Sequence, residues 1–287
     1  MPSTIAQPKT PAAAGAERVL RARHGMGAIN PAELWRYREL FLFLSWRDIL
    51  IRYKQTYLGI AWAVLQPLLT MMVFTVIFGR LARFPGHGEP YAIITMAGIV
   101  PWQFFSNALS ESSNSLVASA NMISKVYFPR LIVPASSVLS GVMDFLIAVL
   151  LTIILMAIYH VPFTARLSML PLFFAAVCVV AMAAGVWLSA LNVKYRDVKY
   201  IVPFFTRLGA YVSPVGFLSE IVPARWRFWY ELNPMAGIID GFRWCILGPA
   251  FKPAWPSFCA SMGVTALLLL TGIVYFRSTE RSFADVI

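Results

Sequence analysis

Stretches free of Asp, Glu, Lys and Arg divide the polar positions of the chain at 55–79, 91–110, 145–165, 167–193 and 253–276. Each holds the roughly 20 mostly apolar residues that an α-helix needs to cross a bilayer. The third reaches back to Leu131, because 131–159 is apolar apart from Asp144. A further stretch, 200–219, is interrupted by Arg207 and punctuated by Pro203 and Pro214. With it the pattern predicts an all-α polytopic membrane protein of six transmembrane helices, at about 57–79, 91–116, 131–159, 168–192, 200–219 and 254–276.

Two segments do not fit a crossing yet are patterned. Asn30-Pro31-x-Glu33 has the form of a helix start, with a capping Asn, Pro at the first helical position and an acid in the first turn. Beyond it Leu34, Tyr37, Phe41 and Leu44 recur at helical spacing opposite Glu33, Arg36 and Glu39. This predicts an N-terminal amphipathic helix lying in the membrane interface, or packed on a partner protein. The other segment, 221–251, mixes Trp226, Trp229, Tyr230 and Trp244 with Arg225, Arg227, Glu231, Asp240 and Arg243. It is too polar to cross and too apolar for a free loop. Asn233-Pro234 should break it into a pair of short re-entrant helices between the fifth and sixth spans, dipping in from the outer face. Three parts result: a disordered cytoplasmic tail at 1–29, an interfacial helix region at 30–54 and a transmembrane domain at 55–287.

Composition sharpens this picture. The 287 residues are 59% hydrophobic and 13% charged, with a mean hydropathy of +0.69, against about 25% charged residues in a soluble domain. A water-soluble enzyme is excluded. The net charge of +11 would suggest nucleic acid as partner in a soluble protein, but here it follows the positive-inside rule and implies no nucleic acid. Sixteen Lys and Arg fall on one side of the predicted spans and seven on the other, with Arg207 inside a span. Both termini are therefore expected in the cytoplasm. The start of the chain, with its prolines and Arg18, Arg21 and Arg23, does not read as a cleavable signal peptide.

Little points to bond-making chemistry. His24, His87 and His160 lie in the tail and in outer connections without ligand-like neighbours, and Cys178, Cys245 and Cys259 are far apart in apolar sequence. No metal site and no bound cofactor are expected. Glu111 and Asp144 lie in or near spans, where an ionisable group is either functional or engaged in an interhelical or helix-end hydrogen bond. No Gly-Lys dipeptide occurs, so a phosphate-binding loop of the form GxxxxGK[ST] is absent. If the chain pumps, a separate protein must bind ATP with its Mg and hydrolyse the ATP. The inner turn 121–130, with Met122, Lys125, Tyr127, Phe128 and Arg130, reads either as the docking element for that motor or as an ordinary cationic loop.

Over most of its length the chain resembles the membrane subunit of type-2 ABC exporters for polysaccharides, the group that exports O-antigen, capsule and teichoic acid. The blocks that carry the resemblance run from about Leu34 to Arg281. They are Arg47-Asp48-Ile49 with Arg52-Tyr53-Lys54-Gln55, Leu58-Gly59 and Trp62; Leu65-Gln66-Pro67; Lys125 with Phe128-Pro129-Arg130 and Pro134; Leu191-Asn192-Val193 with Tyr195-Arg196-Asp197; Ser213-Pro214-Val215; and Leu232-Asn233-Pro234. The first 30 or so residues have no counterpart in it.

The resemblance implies a type-2 ABC exporter fold, a homodimer in the bacterial inner membrane, and two nucleotide-binding ATPase subunits on the inner face. Met122, Lys125, Tyr127, Phe128 and Arg130 would couple to the ATPase, and Trp226, Trp229, Tyr230 and Trp244 would form an outer gate. The cargo would be a lipid-linked polysaccharide, most simply O-antigen. A hydroxyl-rich chain needs a polar-lined conduit through hydrocarbon, and ring faces give contact without fixing hydroxyl positions. Trp62, Phe74, Phe205 and Tyr211 are candidates for that lining, or else face lipid or pack a core. Arg47, Arg52 and Lys54 suit the lipid pyrophosphate of such a substrate, and equally the anionic head groups of membrane lipid. The rival readings are a small-molecule efflux permease, a secondary carrier, and a membrane glycosyl- or phosphotransferase that would bring Glu231 and Asp240 together.

Overall fold

The computed structural model describes residues 35–54, 57–251, 255–280 and 283. The expected tail at 1–29 and the helix start at Asn30-Pro31 lie outside them. The described residues form helices and no strand. α1 covers Arg38–Tyr53. α2 covers Tyr57–Phe74 and continues as a π-helical segment over Thr75–Leu81. α3, Tyr91–Ala118, is followed by the single turn α4, Ala120–Ile123. α5, Ile132–Val138, joins α6, Val142–Ile158, through a 3-10 turn at Leu139–Gly141. Then come α7, Leu170–Lys194; α8, Val198–Val212; α9, Ala224–Glu231; α10, Pro234–Leu247; and α11, Trp255–Thr279.

Five helical segments among the described residues are long and apolar enough to cross a membrane, namely Ala61–Leu81, Tyr91–Ala118, Ile132–Ile158, Ala165–Lys194 and Trp255–Thr279. They coincide with the five charge-free stretches. The element expected at 200–219 differs, because α8 is 15 residues long and stops at Val212. Pro214 cannot donate a backbone hydrogen bond and drives the residue before it out of the helical region, and Ser213 is indeed extended.

α3 is the axis of the fold. Its 28 residues extend about 42 Å at 1.5 Å per residue. Of its apolar stretch 78% is buried, against 11% for Ala61–Leu81. α7 lies against much of its length, and α2, α5, α6, α8 and α10 surround the rest. Lipid tails are as apolar as leucine, so helices in a bilayer associate through close packing and polar bonds. Both are present. A Cβ on Gly185 of α7 would collide with Ser112 of α3, and Asn192 of α7 donates to the Ser113 carbonyl at 3.0 Å. Ser112 donates to the Pro134 carbonyl of α5 at 3.0 Å. At mid-height Phe104, Phe145, Phe174 and Phe242 form a ring cluster, with Phe145 and Phe174 stacked at 4.2 Å.

Two bonds eight residues apart on each partner align α1 with α5 and the first turn of α6: Ser45 donates to the Ser136 carbonyl, and Tyr53 donates to the Asp144 carboxylate. The break at Asn233-Pro234 forms as its residues dictate. The Asn233 side chain accepts from the Met235 N–H at 3.0 Å and Pro234 opens α10. The two helices it separates differ sharply, since α9 buries none of its residues and α10 buries most of its own.

Candidate functional site

The turn at the Ala118 end of α3 divides its residues between surface and core. Lys125, Val126 and Tyr127 are exposed, Tyr127 to 71%. Phe128 is buried in a cluster with Leu116, Ile123, Val133, Val193, Phe276 and Phe283, and Met122 packs at its edge. Arg130 donates to the Glu280 carbonyl at 2.7 Å, which ties the turn to the residue just past α11. Of the five expected coupling residues, Lys125 and Tyr127 therefore offer surface, while Phe128 and Arg130 fix the shape on which they stand.

Two of the three cations proposed before the first span, Arg47 and Arg52, engage carboxylates. Arg47 pairs with its neighbour Asp48 at 2.8 Å. Arg52 pairs with Asp144 at 3.1 Å, and Tyr53 bonds the same carboxylate. Burial pushes the Tyr53 phenol up, and the bond to Asp144 adds to the shift. Lys54 is exposed. Asp144 is thus held in an interhelical bond, one of the two alternatives its position in an apolar span left open. Glu111 and Arg207 are exposed on the outsides of α3 and α8.

Beside the Arg52–Asp144 pair a cleft opens between α1, α2, α3 and α6, lined by Trp62, Gln66, Gln103, Asn107 and Ala148 among others. Trp62 is 59% exposed. The other proposed lining residues separate. Phe205 and Tyr211 are each 63% exposed on α8, beside Tyr200, Ile201, Phe204, Leu208 and Val212, which are also exposed. Phe74 is buried, with its ring against Phe78 and Tyr211. Only Val198, Val202 and Thr206 of α8 are buried.

At the Tyr91 end of α3 the charges are used differently. Arg243 of α10 is 1% exposed. Its guanidinium donates to the carbonyls of Ile94, Pro214 and Val215 and pairs with Asp240 at 3.4 Å. Asp240 accepts from Ser219 at 2.5 Å. Pro214 and Val215 belong to the irregular chain after α8, where carbonyls have no helical partner, and Arg243 supplies one. Asn233 bonds Ser213 at 2.9 Å, so the blocks Ser213-Pro214-Val215 and Leu232-Asn233-Pro234 meet in space. Trp226 and Trp229 on α9 are exposed. The Tyr230 hydroxyl is buried beside Ser219, and Trp244 sits against Trp255 and Arg166. Glu231 and Asp240 both border a second cleft here, together with Glu220, Arg227 and Tyr230. The Arg243 anchor was not recognised from sequence. Its signal is there: Asp240 and Arg243 are the only charged residues in 234–247 and lie three apart on one helix face.

Comparison with known proteins finds relatives that match most of the chain. The chain is 25% identical over 250 residues to the O-antigen export system permease protein RfbA of Klebsiella pneumoniae, covering 87% of this chain and 95% of that one. It is 27% identical over 257 residues to the protein of the same name from Myxococcus xanthus, covering 89% and 98%. The polysialic acid transport protein KpsM of Escherichia coli is 20% identical over 247 residues, covering 84% and 93%. The family model described as ABC-2 type transporter matches residues 39–247, and the chain belongs to that family.

Proposed function

We propose that the chain is the permease subunit of an ATP-driven exporter that moves lipid-linked polysaccharide, O-antigen in the simplest case, across the bacterial inner membrane. The observation that carries this reading is the likeness, over nearly the whole length of both chains, to permeases from two organisms named for O-antigen export. In this reading two copies associate, α8 and the chain after it complete a sixth crossing, and both termini face the cytoplasm. The exposed rings of α8 then border a conduit at the dimer axis, where they offer contact area to sugar faces without holding any one register. α9 and α10 dip in from the outer face as a gate, and α1 lies at the inner membrane surface.

Two ATPase subunits dock on the turn that presents Lys125 and Tyr127. Stiffness is what such an element needs, because a push delivered to a loose loop is dissipated. The buried Phe128 and the Arg130–Glu280 bond supply it. Lys125→Glu should abolish export, and ATP hydrolysis by the assembled complex should lose its dependence on substrate, with the amount of chain in the membrane unchanged. Normal export by Lys125→Glu and by Tyr127→Ala would remove the docking assignment. Phe128→Ala acts otherwise: it should lower stability by about 3 kcal/mol, read as a fall in the melting temperature of the detergent-solubilised chain.

A further inference from the structure

The cleft beside Arg52 and Asp144 carries polar groups where a bilayer-embedded helix should have none. Gln103 and Asn107 bracket the midpoint of α3 and are half-buried. Gln66 on α2 is exposed. No hydrogen bond joins the side chain of Gln66, Gln103 or Asn107 to another described residue, although all three line one cleft. Their spacing is regular: Trp62 and Gln66 are four apart on α2, Gln103 and Asn107 four apart on α3, and Asp144 and Ala148 four apart on α6. Each pair therefore stands one helical turn apart on the same face. An amide left unpaired in hydrocarbon costs several kcal/mol, so these amides hold water until a polar ligand displaces it.

The charge of the cleft narrows what that occupant is. Arg52 and Asp144 are 3.1 Å apart and cancel, so neither an anion nor a cation is selected. What remains are three neutral amides, each able to donate and accept, and an exposed indole face. Amides that exchange hydrogen bonds with hydroxyls, and a flat ring that covers CH groups, are the chemistry of an uncharged polyol. The cleft encloses about 160 Å³. That is below the range of roughly 300–1,000 Å³ typical of pockets for drug-sized ligands.

We propose that the cleft formed by Trp62, Gln66, Gln103 and Asn107 is a subsite for a single neutral, hydroxyl-rich sugar unit. It lies between α2, α3 and α6, apart from the exposed face of α8. The inference rests on the polysaccharide reading and gives that reading a holding point within one subunit. A neutral site of this size grips one ring weakly enough for the chain to advance.

The test is photo-crosslinking in the native host, with the full transporter and the polymer the cell itself makes. p-Benzoylphenylalanine introduced at Gln66 should yield a glycan-positive, high-mass ladder on the chain after irradiation. Adducts to phospholipid alone, or a band at twice the chain mass without glycan, overturn the subsite. The same probe at Tyr211 separates the two levels of the argument. Glycan captured at Tyr211 but not at Gln66 overturns the subsite only, and glycan at neither position overturns the export reading as well. Independently, Gln103→Met combined with Asn107→Leu keeps the volume and removes the amides. Export should fall about tenfold, the equivalent of one to two hydrogen bonds, with the chain present at wild-type level. Unchanged export in this variant overturns the subsite.

Discussion

Arg243 with Asp240 and Arg52 with Asp144 are the same ionic pair in different surroundings. The first encloses its cation: Arg243 is 1% exposed, beside an Asp240 that is 21% exposed, and spends its remaining donors on three backbone carbonyls from two other segments. The second is open, with side chains 33% and 24% exposed, and its carboxylate also receives Tyr53. Enclosure makes a charge expensive, so every donor must be matched, and a group matched in that way welds together the segments it touches. Openness lets water or a ligand replace a lost partner, so the pair can border a cleft without governing the fold. The Tyr91 end of α3 is thus built as a fixture, and the cleft beside α1 is left available for function.

The contrast can be broken most forcefully at Arg243. Arg243→Leu strands Asp240 and the carbonyls of Pro214 and Val215, and should cost about 3–5 kcal/mol. Little folded chain should then survive detergent extraction, as read by size-exclusion profile. Arg243→Met with Asp240→Leu removes both charges together and should recover much of that loss; equal damage in the single and double variants would show that the carbonyl bonds, and not the charge pairing, hold this end. Next in size is Gly98→Ala. A Cβ at Gly98 would stand 2.5 Å from the Val215 carbonyl oxygen, a backbone atom fixed by Arg243. A loss of about 1–3 kcal/mol in thermal stability is expected. The smallest effect belongs to the open pair. Asp144→Asn should cost about 1 kcal/mol, since water reaches both partners. A loss as large as that of Arg243→Leu would erase the distinction between the two ends.

Much of this architecture was legible in the chain, and the residues show why. The charge-free stretches located five helices, because crossing hydrocarbon sets a length and a composition that no neighbour can change. The stop before Pro214 was less legible. Pro203, inside α8, does not end the helix whereas Pro214 does, and the carbonyls of Pro214 and Val215 beyond it are taken up by Arg243, 29 and 28 positions away. The turn at 121–130 displays its cationic and aromatic residues in the sequence. Its division into exposed Lys125 and Tyr127 and buried Phe128 depends on Leu116, Val193 and Phe276, which are distant in sequence.

The aromatic candidates make the same point from the other side. Trp62, Phe74, Phe205 and Tyr211 are alike by composition, and an aromatic ring is stable against lipid, in a packed core or along a sugar path. Only the rotation of α2 and α8 about their axes buried Phe74 and left the other three exposed.

Local physics thus wrote into the sequence the helical spans and the break at Asn233-Pro234, because backbone hydrogen bonds must close within a segment in hydrocarbon and proline cannot close them. Which polar groups met was decided only when the helices packed. Arg243 reaches Ile94 across 149 positions of sequence, and Tyr53 reaches Asp144 across 91. A side chain's partner is fixed by the orientation of helices far apart in the chain, and no local pattern encodes it.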